Sequence, residues 1–199
     1  MCNLTAMSEL TLQRFVSRHS PGADVNRAAP ELIAAYKGVL PDALLELWER
    51  VGLGRYGLLE IVNPDDYADA LAGWLMRPEP APDRVPVAIS AFGRLFYYRR
   101  LQEDAEDIAF LEPQYRQTGV LEWSLEGSFN ETLCDEERIA ALLEPELYAE
   151  CVELHGALAA GEIYCPKLAL ALGGEWRAQA MMHGDARVQL DVLLQLAQS

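Results

Sequence analysis

The clearest periodic pattern in the chain lies between Leu44 and Val51. Leu44, Leu45, Leu47, Trp48 and Val51 recur at helical spacing behind Pro41, at a first helical position, and Asp42, in the first turn. Gly52 follows as a left-handed terminator. Upstream, Leu12, Phe15 and Val16 predict an inward-facing stripe on a helix capped by Ser8 and stopped after His19 by Ser20-Pro21-Gly22. A short helix is expected over 31–37. Residues 58–62 read as a strand. Asn63, Pro64 and the pair Asp65-Asp66 are three agreeing start signals for a further helix, whose apolar face is Tyr67, Leu71, Trp74 and Leu75.

Pro78, Pro80, Pro82 and Pro86 impose an extended connection over 77–86. Residues 85–90 and 94–100 then predict paired strands around Phe92-Gly93. In the second, Leu95, Tyr97 and Arg99 face one way and Phe96 and Tyr98 the other. Short strands are expected over 108–111 and 120–125, and helices over 136–143 and 145–158. The second helix carries Leu147, Cys151, Leu154 and Leu158 as a stripe. Residues 176–182 read as a strand, and 187–197 as a final amphipathic helix with Leu190, Leu193 and Leu194 inward. This mixture predicts an α+β fold: a small, mostly antiparallel sheet flanked by helices, with a carboxy-terminal helical or mixed module packed on it. The expected division is 1–100 and 101–199, packed as one unit, because the proline-rich segment is too short to be a free linker. The first six residues are expected to form a disordered or tag-like end.

Composition narrows the function. The chain has 199 residues with 16 Lys and Arg against 31 Asp and Glu, a formal net charge of −15. Such a surface repels phosphate backbones and anionic membranes and attracts basic proteins. From Glu103 to Glu153, fifteen acidic residues face only Arg116 and Arg138, so that span nets −13. Glu103, Asp104, Glu106 and Asp107 form one cluster within it; Asp135, Glu136 and Glu137 form another. Two readings fit: a solvated surface, or a docking face for a cationic partner. Tyr97, Tyr98, Tyr115 and Trp123 lie near the span, either as core or as partner anchors.

Catalytic chemistry is hard to place. The sequence has no Gly-x-Ser-x-Gly elbow and no P-loop, and Gly52-Leu53-Gly54 lacks the third glycine of a dinucleotide fingerprint. Cys151 and His155 have a metal-compatible spacing, but Cys165 is the only further ligand nearby. A core thiol beside a flanking imidazole is the simpler reading. Cys2, Cys134, Cys151 and Cys165 are widely spaced, as expected of free thiols. No metal or cofactor is implied. No stretch approaches the ~20 apolar residues of a transmembrane helix, and the first 30 residues carry no signal-peptide pattern. A cytoplasmic location is therefore expected.

The order of motifs is similar to a known family. Leu40-Pro41-Asp42-Ala43-Leu44-Leu45-Glu46-Leu47-Trp48-Glu49-Arg50-Val51-Gly52, then Gly57-Leu58-Leu59, then Ile61-Val62-Asn63-Pro64-Asp65-Asp66-Tyr67, resembles the amino-terminal half of the GAD-like domain proteins. Val85-Pro86-Val87 and Ala91-Phe92-Gly93-Arg94-Leu95 look like that family's strand pair. The family often has Asp or Asn after Phe-Gly, where this chain has Arg94. The segment from Gly161 to Gly174 resembles the carboxy-terminal module that accompanies the domain. The resemblance implies a Tdi-type immunity protein of a bacterial type VI secretion system, one that binds and neutralises a cognate DNase effector in the cytoplasm. It transfers no binding residues. A non-catalytic regulatory or scaffold module on the same fold is the alternative.

Overall fold

The main sheet is a meander: four of its five strand connections are short, and the fifth, over 62–83, carries a helix. The computed structural model describes residues 9–103 and 105–198. Cys2, Ser8 and Asp104 lie outside that range, as do the capping role expected of Ser8 and the expectation for the first six residues. Among the described residues, six strands are hydrogen-bonded in chain order: β1 (Gly54–Tyr56), β2 (Leu59–Ile61), β3 (Arg84–Ser90), β4 (Leu95–Gln102), β5 (Ala105–Glu112) and β6 (Gln117–Glu122). Every pairing is antiparallel. The α+β expectation is met, with a larger sheet than anticipated.

Alternation along β4 decides what covers each face. Phe96 and Tyr98 enter one core with Phe15, Leu44, Trp48 and Phe129. That face is covered by α1 (Gln13–Arg18), α3 (Asp42–Arg50), α5 (Leu125–Asn130) and α6 (Glu136–Leu143), with α2 (Pro30–Tyr36) outside α3. Leu95 and Tyr97 enter a second core with Val62, Tyr67, Leu71, Ile163 and Leu190. There the cover is α4 (Ala68–Trp74), α8 (Ala186–Gln198) and a two-stranded sheet of β7 (Glu162–Pro166) and β8 (Met181–Asp185). The helix α7 (Pro145–His155) seals the end, through Cys151 against Phe92, Tyr164 and Met181.

Two glycines are required by close approach. A Cβ on Gly52, at φ +137°, would lie 2.3 Å from the Asn26 carbonyl group. At Gly93, φ +87° turns the chain between β3 and β4, and a Cβ would meet Ile163 at 2.9 Å.

Several local expectations change in the folded chain. The first helix starts at Gln13, behind Leu12, with no side-chain cap. The helix expected from Asn63 is split. Asn63 accepts a hydrogen bond from the Asp65 N–H and starts a 3-10 turn over Pro64–Asp66, and α4 begins only after Tyr67. Leu154 does not complete the α7 stripe: it is 51% exposed, because that helix packs through Cys151 and half-buried Leu147 and Val152. The strand expected at 176–182 is displaced toward the carboxy terminus. A 3-10 turn over Ala178–Ala180 precedes β8, whose partner β7 had no periodic signature.

Candidate partner-binding surfaces

The acidic span folds into parts with different roles. β4 and β5 pair in a register that sets Arg99 opposite Asp107. Asp107 is fully buried, and both its carboxylate oxygens accept from the Arg99 guanidinium, one through Nε at 2.6 Å. The Asp107 hydrogen bonds hold the Arg99 guanidinium above its usual range. Asp107, expected on the docking cluster, therefore sits in the interior with its charge already matched.

Glu106 is half-buried. It accepts from the Tyr98 hydroxyl at 3.0 Å and from the first backbone N–H of α5, at Leu125. Glu103 is exposed at the β4–β5 turn. The second cluster is more open. Asp135, Glu136 and Glu137 are all exposed at the start of α6, where Asp135 caps the helix through the Arg138 N–H at 2.9 Å. Acidic groups at a helix start are favoured by the helix dipole, so this cluster has a local role as well as an exposed charge. The two clusters flank α5 in sequence: Glu106 binds its first residue, and Asp135 follows the 3-10 turn after it.

Of the four aromatic candidates, Tyr97 and Tyr98 are core, on opposite faces of the sheet. Tyr115 is 50% exposed and Trp123 is 69% exposed, just beyond the edge strand β6, where Val120 is also exposed. Both remain available to a partner.

Arg94 is a structural residue that the sequence marked only as a departure from the family. Its Nε donates to buried Glu112 at 2.6 Å, its Nη1 donates to the Leu142 carbonyl, and its guanidinium lies over the Phe110 ring. It ties the sheet to the end of α6. Burial raises the Glu112 carboxyl above the usual range, and Arg94 opposes that shift.

The cysteines and histidines have structural places. Cys134, Cys151 and Cys165 are free, and burial pushes the Cys151 and Cys165 thiols up to about 11, which leaves them protonated and unreactive near neutrality. Nε2 of His155 lies 2.7 Å from the Ala178 carbonyl oxygen. Among the described residues, no group of three or more His, Cys, Asp or Glu is placed to hold a metal ion. No helix among them is long and apolar enough to cross a membrane.

Comparison with known proteins gives two adjoining matches. The family model described as "GAD-like domain" matches residues 10–110, just over half of the chain. The model described as "T6SS immunity protein Tdi1, C-terminal" matches residues 126–197 and supports an immunity role. No curated protein matches. The crystal structure of Atu4351 from Agrobacterium tumefaciens shares the fold. Its TM-score is 0.70 at 20% identity, over 92% of this chain and 88% of that one.

Proposed function

The chain belongs to the GAD-like domain family, and on that premise we propose that it is an immunity protein, neutralising a type VI secretion toxin by stoichiometric binding. The observation that carries this reading is the succession, in one chain, of a GAD-like domain and the Tdi1 carboxy-terminal match. The protein acts without catalysis, in the cytoplasm of the cell that makes the toxin. The toxin is a DNase whose DNA-gripping surface is basic, and this protein occupies that surface without itself binding nucleic acid or membrane.

Charge and exposure support the reading. A formal charge of −15 steers a cationic partner toward the protein. Glu103, Asp135, Glu136 and Glu137 are exposed, with Arg100 beside Glu103 and with Arg14 and Arg138 beside Asp135; the acidic groups are the more numerous around each cluster. Asp104 belongs to the same run in sequence, and Glu106 supports it from the hairpin. Exposed Trp123 supplies a large apolar anchor of the kind that dominates interface energies.

The test is co-expression with a candidate toxin, sought among the genes adjacent to this one. Cells should survive the toxin, and the two proteins should co-purify in a one-to-one complex. Replacing Glu103, Glu136 and Glu137 by lysine should slow association at low salt, with only a modest fall in melting temperature from the two lysines in the first turn of α6. Growth arrest despite equal expression would overturn the immunity reading. A wild-type association rate in the triple variant would overturn the docking role of the acidic clusters.

A further inference from the structure

A cleft of about 340 Å³ opens where the amino-terminal sheet meets the β7–β8 hairpin and the start of α8. Asp24, Glu60, Asp66 and Asp185 line it with Tyr67, and Arg187 stands at its side. Three of the carboxylates have local explanations. Asp185 accepts from the Arg187 and Val188 N–H groups at the start of α8, Asp66 lies in the 3-10 turn, and Glu60 pairs with Arg55. Asp24 makes no ion pair among the described residues, but its Oδ2 accepts from the Arg55 N–H at 3.3 Å. Arg187 is 3.6 Å from Asp66 and 3.7 Å from Asp185, and it is about half exposed. Exposed ion pairs of this length hold a side chain only weakly.

Tyr67 sets this cleft apart from an ordinary acidic surface. Its ring is packed in the core with Val62 and Leu71, and the residue is only 4% exposed. Its hydroxyl has no hydrogen-bond partner among the described residues. The charges acting on that hydroxyl are those of Glu60, Arg187, Asp185 and Asp66, all of which line the cleft, so the hydroxyl faces into it. The side chain is almost wholly buried, but its hydroxyl is not sealed off: it is open to a space walled by carboxylates.

We propose that the cleft receives an arginine side chain of the partner protein, its guanidinium donating to the Tyr67 hydroxyl and to the carboxylates of Asp24, Glu60 and Asp66. Arginine fits better than a compact cation. Among the described residues no three acidic groups are placed to hold one metal ion, whereas a guanidinium carries five donors on a rigid fork and can reach more than one acceptor. Arg187 yields its place beside Asp66 as the incoming group enters. Glu103, Asp135, Glu136 and Glu137 do not line the cleft, so it would add a contact to those of the acidic clusters. This inference rests on the immunity reading for the identity of the partner, but not for the chemistry of the site.

The experiment separates the two. Blocked arginine (N-acetyl-arginine amide) is titrated into the free protein to about 10 mM, well above a millimolar dissociation constant, and followed by amide chemical shifts. Blocked citrulline, a neutral near-isostere, is the control. Saturable shifts confined to the segments around Glu60–Tyr67, Gly161 and Asp185–Arg187 are expected with arginine and not with citrulline. Tyr67→Phe keeps the ring and should weaken binding about tenfold, the worth of a hydrogen bond to a charged group; Asp66→Asn should weaken it as well. Shifts spread over the whole acidic surface, equal binding of citrulline, no saturable shift, or an unchanged Tyr67→Phe variant would each overturn the proposal. With the toxin, Tyr67→Phe should speed dissociation. Blocked arginine binding without toxin capture would sink the immunity reading and leave the site standing. Toxin capture unaffected by Tyr67→Phe would sink the site and leave the immunity reading standing.

Discussion

Arg55 on β1 and Glu60 on β2 are cross-strand neighbours whose buried ion pair also joins the two regions of the chain. Arg55 Nη2 donates to Glu60 at 2.7 Å and to the Glu162 carbonyl oxygen at 2.6 Å, and Glu60 in turn accepts from the Gly161 N–H. Burial raises the Glu60 carboxyl above the usual range, and Arg55 opposes that shift. The pair is incomplete, since Nε and Nη1 of Arg55 have no hydrogen-bond partner among the described residues.

Removing one member should therefore cost more than removing both. Arg55→Met should destabilise the protein by about 3 kcal/mol in urea unfolding, the scale of a broken buried pair. The double variant Arg55→Met with Glu60→Met should be less destabilised than Arg55→Met alone. A double variant whose loss equals the sum of the single losses would show that the two residues act independently.

Asp107 should behave unlike its neighbours in the acidic run. Asp107→Asn should lower stability by about 2 kcal/mol, less than a fully buried pair because Arg99 keeps access to solvent. Glu136→Gln should leave stability within about 0.5 kcal/mol, as at an ordinary surface position. Thermal unfolding of the two variants side by side decides the matter.

His19 makes a pH dependence that can be isolated. It is buried, with Nε2 2.6 Å from the Leu133 carbonyl oxygen. Burial lowers its pKa, the Leu133 contact opposes, and Arg18 adds to the lowering. The unfolded chain therefore binds the proton more readily than the folded one. Stability from this residue is present above about pH 6.5 and falls as the pH drops through 6.5 toward the lowered folded value. Glu60 and Glu112 have the opposite sign: their raised folded values make the native state hold protons more tightly, so their unfavourable contribution near neutrality is relieved as the pH falls toward 4.5. His19→Gln should flatten the decline in melting temperature between pH 7 and about 5.5; an unchanged slope would exclude His19 as its source.

The two regions, 1–100 and 101–199, are proposed to unfold as one unit. Residue 100 lies within β4, and β4 and β5 pair along their length. Trp74 Nε1 donates to the Leu190 carbonyl oxygen at 3.1 Å, and Ile163 and Leu190 share a core with Tyr67 and Leu71. Limited proteolysis in the proline-rich segment 77–83 should leave the fragments associated, with a single unfolding transition. Two fragments that separate and melt independently would show two domains.

Elements with a long periodic signal were legible in the sequence. The α3 stripe from Leu44 to Trp48 is buried as its spacing required, Asn63 starts the 3-10 turn that leads to α4, and the alternation of β4 sends Leu95 and Tyr97 to one core and Phe96 and Tyr98 to the other. Each depends on neighbours a few positions apart, so local composition suffices. The three-residue strand β1 and the five-residue β7 carry too few residues for periodicity and exist only through their partners β2 and β8. Asp107 reads as part of a charge run, although it alternates in phase with Ala109 and Leu111, both core residues. Only pairing with β4, which brings Arg99 opposite, makes its burial affordable. The cleft is more distant still from any local pattern: Asp24, Glu60, Tyr67 and Asp185 meet because the carboxy-terminal hairpin packs on the far face of the amino-terminal sheet. Sequence determined the helices and strands with a long periodic signal and the sign of the net charge; tertiary packing decided the short strands, which charges are neutralised inside and which remain open to a partner.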